Sequence, residues 1–190
     1  MAKRRPKTKL EKADVAVADA LTPLRKRKPV RVAGTISEVG DQPPMYVITG
    51  AVLAVGLAMG DRRTSKAGLR MVASHFLAIR LKNLAKHLVD RTRPYLIPDE
   101  GKYELRKGKR FDSDYNSFPS GHTASPVAVA RALSREYPKQ HGAALAAAAV
   151  VGGTQVIRSK HYLSDVLAGA LIGLAAEKAV DLWMEKMAEP

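Results

Sequence analysis

The chain has 190 residues, no cysteine and a formal net charge of +14. Its length fits one domain with a buried core, and the absence of cysteine excludes disulfides, thiolate nucleophiles and cysteine-based zinc sites. The positive charge favours phosphate-bearing or anionic-surface partners. Aromatic residues make up only 5% and do not alternate with basic residues, so we expect no nucleic-acid partner.

Residues 1–31 are predicted to form a basic N-terminal arm. They contain 11 Lys and Arg against 3 Asp and Glu, a net charge of +8. The first residues lack the apolar core of a secretory signal peptide, and we expect them to be disordered. A short amphipathic helix is predicted over residues 14–24. The basic residues 25–31 suit either an anionic membrane interface or a solvated linker.

Three uncharged apolar runs occur in residues 32–190, which we expect to form one helical domain. They cover residues 45–60, 142–157 and 166–176, and each is shorter than the roughly 20 residues that cross a bilayer unaided. Basic residues flank the runs, which favours a membrane-embedded bundle over a soluble all-α domain with buried helices. No alternating run suggests a sheet. The predicted fold is therefore all-α, a compact membrane-embedded bundle of about five to six helices.

A predicted helix over residues 67–89 leads into a cluster of cations. Its leucines recur on one stripe, and Lys86 lies on the opposite side, seven residues before Arg93. Such cations can hold a tetrahedral oxyanion, Arg93 through its planar fork and Lys86 as a point charge. The alternative is a basic helix end near lipid headgroups. The polar segment 95–118 is predicted to be a long loop of the functional kind.

The tetrapeptide Pro119-Ser120-Gly121-His122 predicts the start of another helix, with proline in its first turn. Ser120 and Gly121 would then offer N–H groups that bind an anion with help from the helix dipole. Gly121 also lets a ligand approach the backbone closely, and His122 adds an imidazole. Alone this is weak evidence, because such turns are common and most such histidines are merely exposed.

His161 and Asp165 stand four residues apart, a spacing that places both on one helix face. A carboxylate in that position can accept the Nδ1 proton of the imidazole, which fixes the tautomer and leaves Nε2 free to attack. The alternative is a His–Asp pair that only caps a helix start. Gly169 and Gly173 continue the same face, and we interpret them as permitting close helix packing below the site.

Together these segments supply a nucleophile, an orienting carboxylate, a second acid or base and an anion-binding cradle. The pattern formed by Lys86, Arg93-Pro94, Pro119-Ser-Gly-His122 and the His161–Asp165 pair resembles the three signature motifs of the type 2 phosphatidic acid phosphatase superfamily. That superfamily also includes bacterial acid phosphatases and vanadate-dependent haloperoxidases. The resemblance covers residues 86–169.

The resemblance implies an α-helical bundle and a phosphatase that needs neither a metal nor a cofactor. His161 would be the nucleophile that forms a phosphohistidine, Asp165 would orient it, and His122 would protonate the leaving oxygen. The phosphoryl oxygens would be held by the motif cations and donors, namely Lys86, Arg93, Ser120 and Gly121.

One position departs from the family pattern. The third motif usually has Ser-Arg six to seven residues before the histidine, whereas this chain has Thr154-Gln155. Gln155 can still donate to a phosphoryl oxygen but brings no charge. Arg158, three residues further on, is expected to compensate by reaching into the site. The alternative is a weakened or specialised activity.

The expected function is hydrolysis of a lipid phosphate or diphosphate at a membrane, with a bacterial inner membrane as the location. The substrate lipid, the side of the membrane and the oligomeric state stay open. A soluble phosphatase for small esters shares the motifs, and a haloperoxidase is disfavoured because the chain is so compact. A non-catalytic basic module that binds anionic lipid is the alternative from another class of protein.

Overall fold

The computed structural model describes residues 6–108 and 112–188. Within these residues it contains eight α-helices, several short 3₁₀ turns and one antiparallel ribbon. The helices are α1 (Lys9–Leu21), α2 (Lys28–Ser37), α3 (Gln42–Ala58), α4 (Arg62–Leu88), α5 (Leu96–Glu100), α6 (Gly121–Glu136), α7 (His141–Ile157) and α8 (Leu163–Ala188), and the strands are β1 (Val89–Arg91) and β2 (Leu105–Lys107).

Three helices form the centre of the bundle. α4, α6 and α8 pack against one another, while α3 covers α4 and α7 covers α6. The predicted all-α class is confirmed. There are more helices than expected because α2 and α5 form in segments that were predicted to be an arm and a loop.

Small residues allow the central helices to approach closely. Ala78 of α4, Ala128 of α6 and Ala176 of α8 meet in one buried cluster. A Cβ atom added to Gly169 of α8 would lie 2.4 Å from a backbone carbonyl oxygen at the start of α6, and one added to Gly173 would lie 2.5 Å from another carbonyl oxygen of α6. The close packing predicted for these two glycines is confirmed, and it holds the beginnings of α6 and α8 together.

Buried ion pairs join the same three helices at their other end. Arg70 of α4 donates to Asp181 of α8 at 2.7 Å and to Glu136 of α6 at 2.9 Å. Arg135 of α6 donates to Glu177 of α8 at 2.7 Å. Because each buried charge has a partner, these pairs fix which helix faces meet without leaving a bare charge in the bundle.

The N-terminal segment differs from the expected arm. Residues 1–5 lie outside the described residues, but most of residues 9–37 are helical. Asp14 of α1 is 4% exposed and binds Arg91 of β1. The helix predicted over residues 14–24 is present, since α1 covers most of it, and residue 31, where the arm was expected to end, lies inside α2. Local charge could not reveal the contact of Asp14 with Arg91, because the partner of Asp14 is 77 residues away.

The segment 95–118 is more ordered than a loop. It contains α5 and β2, and β2 pairs with β1 so that Asp90 lies opposite Arg106. Residues 109–111 lie outside the described residues. The ribbon follows α4 directly, and it fixes the path of the chain from the end of α4 towards the start of α6.

The predicted apolar runs lie in α3, α7 and α8. Within residues 6–108 and 112–188, no helix combines the length and the apolar character needed to cross a membrane. Several large apolar side chains are exposed on α3 and α8. Leu167, Leu171 and Leu174 recur at helical spacing and line one exposed stripe of α8.

Candidate active site

The three predicted motifs meet where α4 ends and where α6 and α8 begin. Lys86 lies in the last turn of α4, and His161 lies directly before α8. The carbonyl oxygen of Asn116 accepts a hydrogen bond from Lys86 Nζ at 2.7 Å, and the carbonyl oxygen of Ser117 lies 2.6 Å from His161 Nδ1. Adjacent carbonyl groups of the chain therefore hold the cation of the first motif and the histidine of the third.

His161 has the protonation state that a nucleophile needs. It is 2% exposed. Burial lowers the pKa of its imidazole to about 4, and repulsion from Arg93 and Lys86 adds to this effect although Asp165 opposes it. The neutral ring donates its Nδ1 proton to Ser117. Nε2 has no hydrogen-bond partner among the described residues, so its lone pair is free to attack.

Asp165 orients His161 indirectly, and not through the direct hydrogen bond from Nδ1 that was predicted. His161 precedes α8 and is not part of the helix, and its Nδ1 is 3.8 Å from Asp165 Oδ2. Asp165 Oδ2 instead accepts hydrogen bonds from Tyr162 N at 2.8 Å and from Ser117 Oγ at 2.6 Å. The carboxylate therefore caps the start of α8 and also fixes the residue whose carbonyl orients His161.

Arg91 completes the surroundings of Asp165 and was missed in the sequence. Its guanidinium donates to Asp165 at 2.7 Å and to Asp14 at 2.8 Å, and it lies 4.0 Å from the ring centre of Tyr162. Burial acts to raise the pKa of Asp165, but its hydrogen bonds and the Arg91 charge outweigh burial and lower it. Asp165 is therefore ionised beside the histidine.

The start of α6 offers N–H donors for the predicted anion cradle, but the N–H of Ser120 is not one of them, because it is already bound within the protein. Ser120 is the N-cap of α6 and is fully buried, and its N–H donates to the carbonyl oxygen of Asp165 at 3.0 Å. The N–H groups of the first turn of a helix have no partner within the helix, so they are available to an anion. Pro119 was expected inside this turn, but it lies one residue before the N-cap because the helix begins at Gly121.

Two predicted cations are held at the site by backbone carbonyl groups. Arg93 donates through Nε to the Ser113 carbonyl oxygen at 2.8 Å and through NH1 to that of Lys160 at 3.3 Å. Burial lowers the pKa of Lys86 to about 7, and repulsion from Lys82 and Arg93 contributes. Among the described residues neither side chain forms an ion pair, so both charges are free to meet an anion.

Lys82 is a third cation at the site, and the sequence analysis did not identify it. It lies one turn before Lys86 and is 5% exposed. A Cβ atom added to Gly121 would lie 3.0 Å from its Cδ and 3.5 Å from its Nζ, so the side chain runs along the start of α6. Burial lowers its pKa. The four-residue spacing from Lys86 was the signal that could have identified it.

Gln155 and Arg158 make their contacts with α2 and the turn after it. Gln155 Nε2 donates to Ser37 Oγ at 3.0 Å, and Gln155 is 1% exposed. Arg158 NH1 donates to the Gly34 carbonyl oxygen at 3.0 Å and to Glu38 Oε1 at 2.7 Å. These contacts direct the Arg158 guanidinium towards the Glu38 carboxylate. That Arg158 compensates for the missing motif arginine stays a prediction.

Glu38 also contacts the predicted general acid. Glu38 Oε2 lies 3.1 Å from His122 Nε2. Burial acts to raise the pKa of Glu38, but hydrogen bonds with Arg158 and His122 outweigh burial and lower it. Glu38, Asp41 and His122 each offer one ligand atom within 4.8 Å of the others, a group that could hold a metal ion. The sequence had not indicated acidic residues beside a motif histidine, because these two follow α2 and are distant along the chain.

The family assignment follows from the sequence as well as from this geometry. Residues 67–188 match the family described as the PAP2 superfamily. This match covers more than half of the chain and includes all three motifs. The chain belongs to the PAP2 superfamily.

Three similar proteins are lipid A 1-phosphatases. Those of Rhizobium johnstonii and Rhizobium etli are 36% and 34% identical over 93 residues, which is 49% of this chain and 38% and 40% of theirs. That of Porphyromonas gingivalis is 35% identical over 78 residues, which is 39% of this chain and 18% of that protein. The chain thus aligns with about two fifths or less of the length of these curated relatives.

A solved structure has the same fold. It is the crystal structure described as the first transmembrane PAP2 type phosphatidylglycerolphosphate phosphatase from Bacillus subtilis. The TM-score is 0.69 at 23% sequence identity, and the match covers 96% of this chain and 90% of that chain. The helical arrangement described above is therefore the fold of a PAP2-type protein.

Proposed function

We propose that the chain hydrolyses a phosphate group of a membrane lipid through a covalent phosphohistidine at His161. The observation that carries the proposal is the state of that histidine. Its imidazole is neutral near pH 7, Nδ1 is held by the Ser117 carbonyl group and Nε2 is free. The charges of Arg93 and Lys86 act on His161, and Lys82 adds a third cation beside the start of α6.

In the first step, His161 Nε2 attacks phosphorus, and the bond from phosphorus to the leaving oxygen breaks as the N–P bond forms. His122 donates a proton to the leaving oxygen, which departs as an alcohol or as a phosphate. The three cations and the N–H groups at the start of α6 stabilise the charge that develops on the phosphoryl oxygens. The nearby Asp165 carboxylate stabilises the positive charge that develops on the His161 ring.

In the second step, water attacks the phosphohistidine. His122 accepts a proton from the water, the N–P bond breaks and inorganic phosphate forms. His161 returns to its neutral state, with Nδ1 still bound to Ser117. Arg91 keeps Asp165 ionised in both steps, because its two nitrogen atoms bind Asp165 and Asp14 throughout.

The charges around His122 favour an anion over a divalent cation at the reacting centre. Glu38 is already paired with Arg158 at 2.7 Å, and the positive charge of Lys82 acts on Asp41. A metal ion bound there would be repelled by Lys82, Lys86 and Arg93 together. We therefore expect hydrolysis that does not depend on a metal.

Two observations support a lipid as the substrate. The relatives described above are named as phosphatases of lipid A and of phosphatidylglycerolphosphate, both of which are phosphorylated membrane lipids. α8 exposes a stripe of leucines, of which Leu167 is 57% and Leu171 is 67% exposed. Exposed apolar stripes of this kind contact membranes or other proteins. The same observations support location at a membrane.

The test is phosphate release from a panel of lipids in the presence of EDTA. The panel contains phosphatidate, phosphatidylglycerolphosphate, a prenyl diphosphate and lipid A. We expect release from at least one lipid with EDTA present, and we expect vanadate to inhibit it because vanadate adopts the geometry of the transition state. Activity that disappears with EDTA and returns with magnesium would overturn the metal-independent mechanism.

A non-catalytic basic module is the second candidate. The observation that favours it is Gln155, which stands where the family motif usually has an arginine and makes a structural contact with Ser37. For such a module, His161→Ala would retain the binding of anionic lipid vesicles, and wild-type protein would release no phosphate from any lipid. Phosphate release by the wild type that is lost in His161→Ala would favour the phosphatase. No phosphate release by the wild type, with vesicle binding retained in His161→Ala, would favour the binding module.

A further inference from the structure

A basic cleft lies beside the reacting histidine, between the N-terminal helices and the end of α7. Its volume is about 800 Å³, within the range of roughly 300–1,000 Å³ that is usual for small-ligand sites. Six basic side chains and no acidic side chain line it, namely Arg25, Lys26, Lys28, Arg31, Arg158 and Lys160.

Most of this charge is not neutralised by the protein. Arg25 forms an ion pair with Asp99 and Arg158 forms one with Glu38. Among the described residues, Lys26, Lys28 and Arg31 form no ion pair and are exposed. Such a concentration of like charge in a concave site costs free energy unless an anion occupies it.

Lys160 connects the cleft to the reacting centre. It immediately precedes His161, and its carbonyl oxygen accepts a hydrogen bond from Arg93 at 3.3 Å. Burial and the charges of Arg93 and Arg158 lower the pKa of Lys160, which reflects the excess of positive charge at this junction. A ligand whose phosphate lies at His161 can therefore place a second group in the cleft.

We propose that the cleft binds a second anionic group of the substrate, so that the preferred substrate is a lipid whose headgroup carries a phosphate or carboxylate besides the phosphate that is removed. This inference rests on the proposed phosphatase function. The position of the site supports it over general contact with a membrane surface, because the lining residue Lys160 directly precedes His161 and its carbonyl oxygen binds Arg93 of the reacting centre.

The experiment compares two short-chain lipids in micelles of a neutral detergent. Phosphatidate has one phosphate group, whereas phosphatidylglycerolphosphate has a terminal phosphate and a second one in its diester. The variant is Lys28→Gln/Arg31→Gln in the full chain, and kcat/KM is measured for both lipids. We expect the preference for phosphatidylglycerolphosphate over phosphatidate to fall by about tenfold, since two charge-assisted contacts are lost.

The control is Arg62→Gln/Lys139→Gln, which removes the same charge from exposed positions at the opposite end of the bundle. We expect this variant to keep the wild-type preference. Thermal unfolding of both variants verifies that the fold is intact.

Two results would overturn the inference. The first is a kcat/KM in Lys28→Gln/Arg31→Gln that equals the wild-type value for each lipid. The second is an equal fall for both lipids, which is the result for a cleft that serves free phosphate or the membrane surface. If wild-type protein hydrolyses neither these two lipids nor any other member of the lipid panel, the proposed function itself fails, and this outcome is distinct from a loss of preference.

Discussion

At position 155 the chain has glutamine where the third family motif usually has arginine, and two other cations are candidates for the missing charge. Arg158 is close in sequence, but its guanidinium binds Glu38 and the Gly34 carbonyl group. Lys82 is buried along the start of α6, and no acidic side chain among the described residues forms an ion pair with it. The contacts therefore favour Lys82 as the cation that meets the phosphoryl oxygens.

The first prediction compares these two cations. Lys82→Gln should lower kcat/KM for phosphatidate by about a hundredfold, because a charge aimed at the transition state is lost. Arg158→Gln should lower it by less than about tenfold, because Arg158 is already paired with a carboxylate. The control, Arg80→Gln, removes an exposed charge from the same helix. A larger loss in Arg158→Gln than in Lys82→Gln would assign the compensating role to Arg158.

The second prediction concerns pH. The value of kcat/KM reports groups of the free enzyme. His161 has a pKa of about 4 and attacks only when neutral, so kcat/KM should rise as the pH increases through about 4. Lys86 has a pKa of about 7 and loses its charge as the pH increases further, so kcat/KM should fall through about 7.

Lys86→Arg separates this effect from other titrating groups. Arginine stays charged throughout the range, so the alkaline fall should move to higher pH in this variant. A pH profile whose alkaline limb is the same in wild type and Lys86→Arg would contradict the role given to Lys86.

At the scale of the helices, the fit between α6 and α8 determines the geometry of the site. The third prediction is that Gly173→Ala lowers the free energy of unfolding by about 1–3 kcal/mol, because the new methyl group meets a backbone carbonyl oxygen that cannot move aside. Chemical denaturation measures this change.

Gly153→Ala is the matched control. A Cβ atom added at Gly153 on α7 meets nothing within 4 Å. Alanine there should stabilise the protein by about 0.5–1 kcal/mol, through the higher helix propensity of alanine. If both variants change the free energy of unfolding by the same amount, the close contact between α6 and α8 at Gly173 does not contribute to stability as proposed.

The helices also explain which parts of the site were predictable. Within each motif the residues were found because their spacing along the chain is local, as with Lys86 and Arg93 or His161 and Asp165, and the resemblance to a family pattern joined the three motifs. Asp14 on α1 and Glu38 after α2 reach the site only through tertiary contacts 77 and 84 residues away in sequence. No periodicity or spacing marks such residues, so the sequence assigned Asp14 to an arm and gave Glu38 no role.

For the whole molecule, the pattern of apolar runs predicted the all-α class, but neither this pattern nor the composition revealed how the charge is arranged. A net charge of +14 indicated an anionic partner. It did not reveal that six basic side chains from the N-terminal segment and from the loop before His161 line one cleft. That arrangement depends on how α2 packs against α7, which the local pattern of either helix does not specify.

The central claim is that His161 becomes phosphorylated during turnover. The most direct measurement is to quench the protein during hydrolysis of a lipid labelled in its phosphate, and to locate the label in the chain. We predict an acid-labile, base-stable phosphate on His161 in the wild type and none in His161→Ala, which should also be inactive. Hydrolysis without label on His161, or hydrolysis that persists in His161→Ala, would contradict the account.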